Sequence, residues 1–190
     1  VGEAFDKTAK ILNLGYPGGP NIEKFSKLGK KDSFILPQPI INRAGCNLSL
    51  AGLKTDVLRK SKNLKTDKER YNLAASFQET VNKILKKKTE IAMKQFRHEI
   101  PDKSLKYFVV AGGVAANETI RKSLKKISLK MNFKPIFPSK EFCGDNAAMI
   151  AWAGIQRHKK KLYDKKNEVV KSRWPLDANA PFLKGPGLKL

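Results

Sequence analysis

Paired glycines at Gly112 and Gly113 lie where a phosphate or a ribose could contact the polypeptide backbone. The apolar run at 107–110 predicts a strand before them, and apolar side chains at helical spacing predict a helix after them: Ile120, Leu124 and Ile127. A strand, a glycine turn and a helix N-terminus together present backbone N–H groups to an anion. Any tight turn between a strand and a helix can use two glycines, so the pair alone leaves both interpretations open.

Two carboxylates are candidates for binding a ligand or a metal. Asp145 follows Cys143 and Gly144 at a predicted strand-to-helix turn. There it either caps the helix or lies at the strand end at which open α/β sheets bind ligands. Asp6 lies in a predicted helix, where a solvated ion pair with Lys10 is the simpler role.

The N-terminal part of the chain is predicted to be helical around a strong break. A helix over 3–14 ends at the sequence GYPGGP, residues 15–20, and a second helix is capped by Asn21. Residues 47–50 are predicted to be extended and to lead into a further helix at Ala51.

The central part is predicted to contain one long helix followed by short strands. Thr66 and Glu69 form a capping box, which predicts a helix from there to about residue 98. Strands are predicted at 107–110 and 134–137, with the glycine turn and a helix between them. The alternation of strands and helices favours an α/β layer fold.

Length and composition suit one globular domain over residues 1–190, with a tail at 172–190 that packs on its surface. No run of 18 apolar residues occurs, so no membrane-spanning helix is expected. The two cysteines and the two histidines do not have the spacing of a zinc or redox motif. These features favour a reducing, cytoplasmic location.

The charge is strongly basic, with 39 basic and 17 acidic residues and a net charge of +22. Such a charge favours a polyanionic partner such as nucleic acid. Only 7 of the basic residues are arginines, however, and an excess of lysine is also typical of a genome-wide codon bias. Charge alone therefore leaves both explanations open.

The order of several short motifs is more specific than any one of them. The chain contains, in sequence, GEAFDK at 2–7, GYPGGP at 15–20, SLAGLKT at 49–55, AGGVAAN at 111–117, CGDNAAMIAWAG at 143–154 and RWPLD at 173–177. This set resembles the tRNA threonylcarbamoyladenosine-forming transferases, once described as O-sialoglycoprotein endopeptidases. The resemblance covers nearly the entire chain.

The resemblance implies a fold and a reaction. The fold would be of the actin-like, sugar-kinase and heat-shock ATPase type, with this chain forming mainly the second lobe. The reaction would transfer threonylcarbamoyl from threonylcarbamoyl-AMP to the N6 amine of the adenosine next to the anticodon of tRNA, with AMP as the leaving group. Bacterial members work with a related non-catalytic subunit and a small P-loop ATPase, which are expected partners here.

The resemblance also implies roles for four residues. Asp6 would hold ribose hydroxyls, Gly19 would let the backbone approach the nucleotide, and Asn117 would contact the nucleotide as well. Asp145 would bind a catalytic divalent metal, iron or zinc. Each has a simpler alternative, which is a turn for Gly19 and a helix cap for Asn117.

The departures from the family pattern concern the metal. Asp145 would share it with two histidines of an H-x-x-x-H motif, and neither that motif nor the S-G-G-H-T stretch occurs in the chain. Both are expected upstream of Val1, so the chain is expected to be a fragment with an incomplete metal site, inactive alone. One carboxylate is a poor site, because zinc usually has three or four protein ligands.

Two functions other than threonylcarbamoyl transfer are alternatives, and each predicts a different experimental result. A non-catalytic module that binds tRNA or a partner would explain the net charge of +22 and should show binding that weakens steeply with salt. A metalloglycoprotease would need a zinc-protease motif such as H-E-x-x-H, which is absent. Cleavage of a glycoprotein by the metal-loaded chain would be needed to support it.

Overall fold

Eight helices and strands follow one another along the part of the chain that the structure describes. The structure is a computed structural model that describes residues 1–101, 104 and 106–163. The elements are α1 (Gly2–Ile11), α2 (Gly18–Ser26), α3 (Ala51–Ser61), α4 (Asp67–Glu99), β1 (Lys106–Val109), α5 (Glu118–Lys130), β2 (Phe133–Ile136) and α6 (Ala147–Lys159). Short 3₁₀ turns occupy Gly113–Ala116 and Lys140–Phe142.

The chain forms two compact units, and the boundary between them lies between Asn146 and Ala147. The first unit contains α1 to α5 and both strands. In the second, the described residues form α6 and a turn that reaches Tyr163. The expected surface tail at 172–190 and the motif at 173–177 lie outside the described residues.

Helix α2 begins four residues earlier than the sequence indicates. The prediction that Asn21 caps this helix is wrong, because Gly18 is its first residue and Pro17 precedes it. Pro20 lies in the first turn, where the N–H that proline lacks has no partner within the helix. The GYPGGP motif is therefore both the end of one connection and the start of a helix.

Helix α4 confirms the capping box and the predicted extent of the long helix. The backbone N–H of Glu69 donates to Thr66 Oγ1 at 3.2 Å, and the Thr66 N–H donates to Glu69 Oε2 at 2.9 Å. The helix has 33 residues, so it is about 50 Å long. It contacts α2, α3 and α5 and is the element around which the first unit is built.

Strands β1 and β2 pair in parallel and are joined through α5, which confirms the α/β class. Lys106 lies opposite Phe133 and Val109 opposite Ile136 in the pairing register. The parallel arrangement requires a crossover connection, which the glycine turn and α5 supply. In contrast, residues 47–50 are not extended strand, and α3 begins directly at Ala51.

The hydrophobic core joins the helices of the first unit. The rings of Phe5 on α1 and Phe77 on α4 meet edge to face, with centroids 5.2 Å apart. Fully buried side chains surround this contact, among them Ala9, Leu12, Ile22, Leu53, Val57, Leu73 and Val81. Burial of each large apolar side chain contributes about 1.5–3 kcal/mol relative to exposure. This core fixes α1 and α2 against α4, and the beginnings of α1 and α2 form one side of the site described below.

None of the helices in the described ranges has the length and apolarity needed to cross a membrane.

Candidate functional site

A cleft of about 560 Å³ opens where α1, α2 and the start of α5 converge. Pockets for small molecules usually measure roughly 300–1,000 Å³, so the volume suits a nucleotide-sized ligand. The cleft contains three of the four predicted site residues, namely Asp6, Gly19 and Asn117. Its other lining residues are Gly2, Phe5, Tyr16, Pro17, Pro20, Glu23, Gly113, Val114, Ala116 and Lys140. Residues that are more than 100 positions apart in the sequence thus meet in one site.

The corner between α1 and α2 forms one wall of the cleft. The backbone N–H of Gly18, the first residue of α2, donates to Asp6 Oδ1 at 2.9 Å. This bond satisfies one of the unpaired N–H groups at a helix N-terminus, where a carboxylate is also favoured by the helix dipole. Within the described chain, Oδ2 of Asp6 accepts no hydrogen bond, so it is the oxygen available to a ligand hydroxyl.

Gly18 and Gly19 differ in what surrounds them. A Cβ atom added to Gly18 would lie 2.4 Å from Asp6 Cα, whereas a Cβ on Gly19 would meet no atom of the described chain within 4 Å. Gly18 is therefore needed for the contact between the two helices. Gly19 instead leaves open space on the cleft, as expected where a ligand approaches the backbone.

Asn117 is the residue immediately before α5 and is almost fully buried, with 7% of its surface exposed. Its Oδ1 accepts from the Ile120 N–H at 3.0 Å, and its Nδ2 donates to Gln78 Oε1 at 2.7 Å. The helix cap, the simpler alternative from the sequence, is thus present. A contact with a nucleotide stays a prediction that rests on the position of Asn117 at the cleft.

Sequence reasoning missed two side chains that hold α2 and the start of α5 together beside the cleft, Gln78 and Glu23. Gln78 of α4 donates to Ser26 Oγ at 2.8 Å while it accepts from Asn117, so it joins α2 to the start of α5. Glu23 of α2 accepts from the backbone N–H of Glu118 at 2.8 Å. Glu23 lies four residues after Gly19 and thus on the same helix face, a signal that would have identified it had the start of α2 been placed correctly.

Arg121 connects the glycine turn to the segment that precedes Asp145. Its Nε donates to the carbonyl of Ala115 at 2.9 Å, and its Nη2 donates to the carbonyl of Pro138 at 2.9 Å and contacts Cys143 Sγ at 3.3 Å. The guanidinium carbon also lies 4.9 Å from the centroid of the Phe137 ring. One side chain therefore fixes two connections that flank the cleft.

Lys140 brings a positive charge to the cleft through an ion pair with Glu118, the first residue of α5. The hydrogen bond from Lys140, together with its charge, holds the pKa of the Glu118 carboxyl below its ordinary value of 4.5. Both groups are at least partly exposed, so the pair is worth little to stability. Its consequence is positional, because it keeps an ammonium group at the edge of the cleft.

We expect the Glu118 carboxyl to titrate below pH 4.5 in the folded chain. A depressed pKa contributes stability that is present above pH 4.5 and is lost as the pH falls through the lower, folded value. Carbon-13 NMR of the side-chain carboxyl as a function of pH measures this directly. Lys140→Gln should return the pKa towards 4.5, whereas Lys122→Gln, which removes only a weaker electrostatic contribution, should move it less. A titration of Glu118 at or above 4.5 would contradict the pairing.

Asp145 is exposed and is not among the residues that line the cleft. The sequence places it as a cap of the last helix, but α6 begins at Ala147, and Asn146 is the residue immediately before it. Within the described ranges, no three His, Cys, Asp or Glu side chains converge to hold a metal. A lone carboxylate does not fit a zinc or iron site, which requires further protein ligands, and we assign Asp145 no chemical step.

The cleft has the features needed to bind a phosphorylated polyol. Oδ2 of Asp6 can accept from hydroxyl groups, and the backbone at Gly19 and Gly113 is open to close approach. The Lys140 ammonium can attract a phosphate, even though it is shared with Glu118. A carboxylate for a ribose and a cation for a phosphate indicate a nucleotide rather than an apolar ligand.

Comparison with known protein families gives a match over most of the chain. The family described as tRNA N6-adenosine threonylcarbamoyltransferase matches residues 1–152. This range includes Asp6, Gly19, Asn117 and Asp145, and thus the whole cleft.

Individual proteins with that description are also similar. The chain is 52% identical to tRNA N6-adenosine threonylcarbamoyltransferase of Pelagibacter ubique over 190 residues, which are 100% of this chain and 53% of the relative. The corresponding protein of Rickettsia rickettsii is 45% identical over 179 residues, 93% of this chain and 52% of the relative. That of Brucella suis is 42% identical over 189 residues, 98% of this chain and 53% of the relative. The chain therefore spans about half the length of the curated relatives that it matches.

Proposed function

Because the chain belongs to the tRNA N6-adenosine threonylcarbamoyltransferase family, we propose that its cleft binds the AMP part of threonylcarbamoyl-AMP. The observation that carries the proposal is the convergence of Asp6, Gly19 and Asn117 on one cleft. In this arrangement Asp6 Oδ2 accepts from the ribose hydroxyls. The backbone at Gly19 lies against the nucleotide, and Asn117 fixes the opposite wall.

The reaction transfers an acyl group to an amine. The N6 amine of the adenosine next to the anticodon attacks the carbamoyl carbonyl carbon, and the bond from that carbon to the phosphate oxygen of AMP breaks. The electron pair goes to AMP, and the amine loses one proton. The proposed contribution of the cleft is to hold and orient AMP as the leaving group, which lowers the entropic cost of bringing the two reactants together. Lys140 is placed to offset negative charge that grows on the phosphate.

The proposal extends to the rest of the catalytic machinery only by family membership. The chain would form mainly the second lobe of an actin-like fold and would work in the cytoplasm with tRNA, a related non-catalytic subunit and a small P-loop ATPase. Asp145 would be a ligand of a divalent metal, iron or zinc, only together with an H-x-x-x-H pair that this sequence lacks. We therefore infer that the chain binds nucleotide but does not complete the transfer alone.

The proposed site is tested by isothermal titration calorimetry, in which AMP is titrated into the purified chain. We expect saturable binding to the wild-type chain and at least a tenfold weaker affinity for Gly19→Ala, because the added methyl group takes space on the cleft and meets nothing in the protein. A tenfold loss corresponds to about 1.4 kcal/mol. The stability of Gly19→Ala should be equal to or higher than that of the wild type, since alanine favours a helix more than glycine does.

The matched control is Gly52→Ala on α3, where the nearest atom to an added Cβ is a Pro39 side-chain carbon at 3.6 Å. Gly52 does not line the cleft, so this variant should bind AMP as the wild type does. Equal affinity for Gly19→Ala and Gly52→Ala would reject the site. Formation of threonylcarbamoyladenosine by the 190-residue chain alone, from tRNA and threonylcarbamoyl-AMP, would reject the inference that it cannot complete the transfer.

A further inference from the structure

Gln78 is a buried amide in the middle of α4. Only 6% of its surface is exposed, and the neighbouring Phe77 is fully buried. A buried amide is costly unless it is hydrogen-bonded, and an apolar side chain of the same length would fill the position without that cost. The Gln78 amide makes three hydrogen bonds, to Ser26, Thr119 and Asn117. Its presence therefore has a reason other than filling the core.

A continuous chain of hydrogen bonds passes through Gln78 from the start of α5 to α2. At the α5 end, the Ile120 N–H donates to Asn117 Oδ1 at 3.0 Å, and Asn117 Nδ2 donates to Gln78 Oε1 at 2.7 Å. At the α2 end, Gln78 Nε2 donates to Ser26 Oγ at 2.8 Å, and the Ser26 hydroxyl donates to the carbonyl of Glu23 at 3.0 Å. Each bond thus shares a side chain with the next.

Main-chain groups at the two ends fix the direction of every bond in this chain. A backbone N–H can only donate, and a backbone carbonyl can only accept. The Ile120 N–H therefore requires the Asn117 oxygen, which leaves the Asn117 nitrogen to face Gln78. The Glu23 carbonyl requires the Ser26 hydrogen, which leaves the Ser26 oxygen to accept from Gln78. A reversed Gln78 amide would set its N–H groups against those of Asn117, so only the observed orientation satisfies both ends.

This fixed direction decides what Asn117 offers to a ligand. Asn117 lines the cleft, and its Oδ1 is engaged by the first turn of α5. One hydrogen of Nδ2 is bound by Gln78, whereas the other has no acceptor in the part of the chain that the structure describes. The group that remains for a ligand is therefore an N–H donor. Its complement is an acceptor atom, such as a ring nitrogen, a ribose oxygen or a phosphate oxygen.

The contact between α2 and α5 does not depend on Gln78 alone. Glu23 Oε1 accepts directly from the backbone N–H of Glu118, the first residue of α5, at 2.8 Å. The two helices are thus linked once without Gln78 and once through it. What the second link adds is the orientation of the Asn117 amide.

We propose that Gln78 is a positioning residue for the nucleotide, because it holds Asn117 so that Nδ2 donates to an acceptor atom of AMP. This inference rests on the proposed function, which supplies the identity of the ligand. Gln78 is not among the residues that line the cleft, so it acts on AMP through Asn117.

A double-mutant cycle tests whether Gln78 acts through Asn117, with AMP affinity measured by calorimetry. Gln78→Met removes the acceptor and keeps a side chain of similar length, and Asn117→Ser keeps an oxygen that can cap α5 but has no amide. We expect AMP to bind about fivefold more weakly to Gln78→Met and about tenfold more weakly to Asn117→Ser. The double variant should bind within about twofold of Asn117→Ser, because no amide is left for Gln78 to hold.

The matched control is Ser76→Ala, which removes another buried polar side chain of α4. Ser76 Oγ accepts from the Phe34 N–H at 3.1 Å and does not line the cleft. Ser76→Ala and Gln78→Met should both lower the urea midpoint, but only Gln78→Met should weaken AMP binding. Losses that multiply in the double variant, to about fiftyfold, would overturn the proposal, and so would wild-type affinity in Gln78→Met.

The side-chain amide of Asn117 gives a readout that a purely structural role would not change. Its two hydrogens give separate nitrogen-15 NMR signals, which are assigned by their absence from Asn117→Ser. Saturating AMP should shift one of the two signals much more than the other, and a shift of neither would overturn the proposal. Absence of AMP binding to the wild type would contradict the proposed function, and with it the ligand named here. AMP binding with independent effects of the two substitutions would overturn the role of Gln78 alone.

Discussion

Replacing Gly18 by alanine is expected to destabilise the first unit of the chain by about 2–4 kcal/mol, more than any other single methyl group added near the cleft. The new Cβ would lie 2.4 Å from Asp6 Cα and 2.8 Å from the Asp6 backbone N. Both are backbone atoms of α1, so no side-chain rotation relieves the overlap, and the two helices must move apart. That movement would also lengthen the bond from the Gly18 N–H to Asp6 Oδ1.

Urea unfolding followed by circular dichroism measures this effect. The midpoint should fall clearly for Gly18→Ala and should stay the same or rise for Gly19→Ala, although the two substitutions are adjacent and chemically identical. AMP binding should be weaker in both variants, in Gly18→Ala because the corner between α1 and α2 opens and in Gly19→Ala because the added methyl group takes space on the cleft. Equal midpoints for the two variants would show that α1 and α2 do not approach each other as the structure describes.

Arg121→Met is expected to have the second large effect. The free energy of unfolding should fall by about 2–4 kcal/mol, and AMP should bind more weakly. The substitution keeps an apolar stem of similar length but leaves the carbonyls of Ala115 and Pro138 without the guanidinium that binds them. Hydrogen bonds to a charged group contribute about 1.5–3 kcal/mol each and are not additive within one side chain. Arg121→Lys should be intermediate, because an ammonium cannot reproduce the planar fork that reaches both connections.

Thiol reactivity gives a local measure of the same change. Cys46 is exposed, whereas Cys143 is buried next to Arg121, so an aromatic disulfide reagent should modify one thiol rapidly in the wild type and two in Arg121→Met. Lys122→Met, on the neighbouring exposed position, serves as the control and should leave Cys143 protected. Slow modification of Cys143 in Arg121→Met, with unchanged stability, would exclude Arg121 as the residue that fixes these connections.

The helices and strands were largely predictable because their signals are local. The capping box at Thr66 and Glu69 starts α4 through bonds between residues three positions apart. The start of α2 was not predicted, because proline and two adjacent glycines normally end a helix, and their tolerance here depends on Asp6 binding the first N–H from the neighbouring helix.

The candidate site was predictable in part and for a different reason. Asp6, Gly19 and Asn117 were identified through the order of short motifs, and the structure brings them to one cleft. Gln78, Glu23 and Arg121 belong to no such motif, and each acts through a partner that only the folded chain places beside it.

The sequence by itself determined the family, the α/β class and the types of residue available to a nucleotide, since motifs and periodicity are properties of neighbouring positions. The tertiary structure decided which glycine is needed for packing and which is open to a ligand, and it showed Asn117 to be engaged by α4 as well as capping α5. These decisions depend on distances of 2–4 Å between residues that are 12 to 95 positions apart in the chain. Such distances are set by how the helices pack on the core around Phe5 and Phe77, which no local pattern contains.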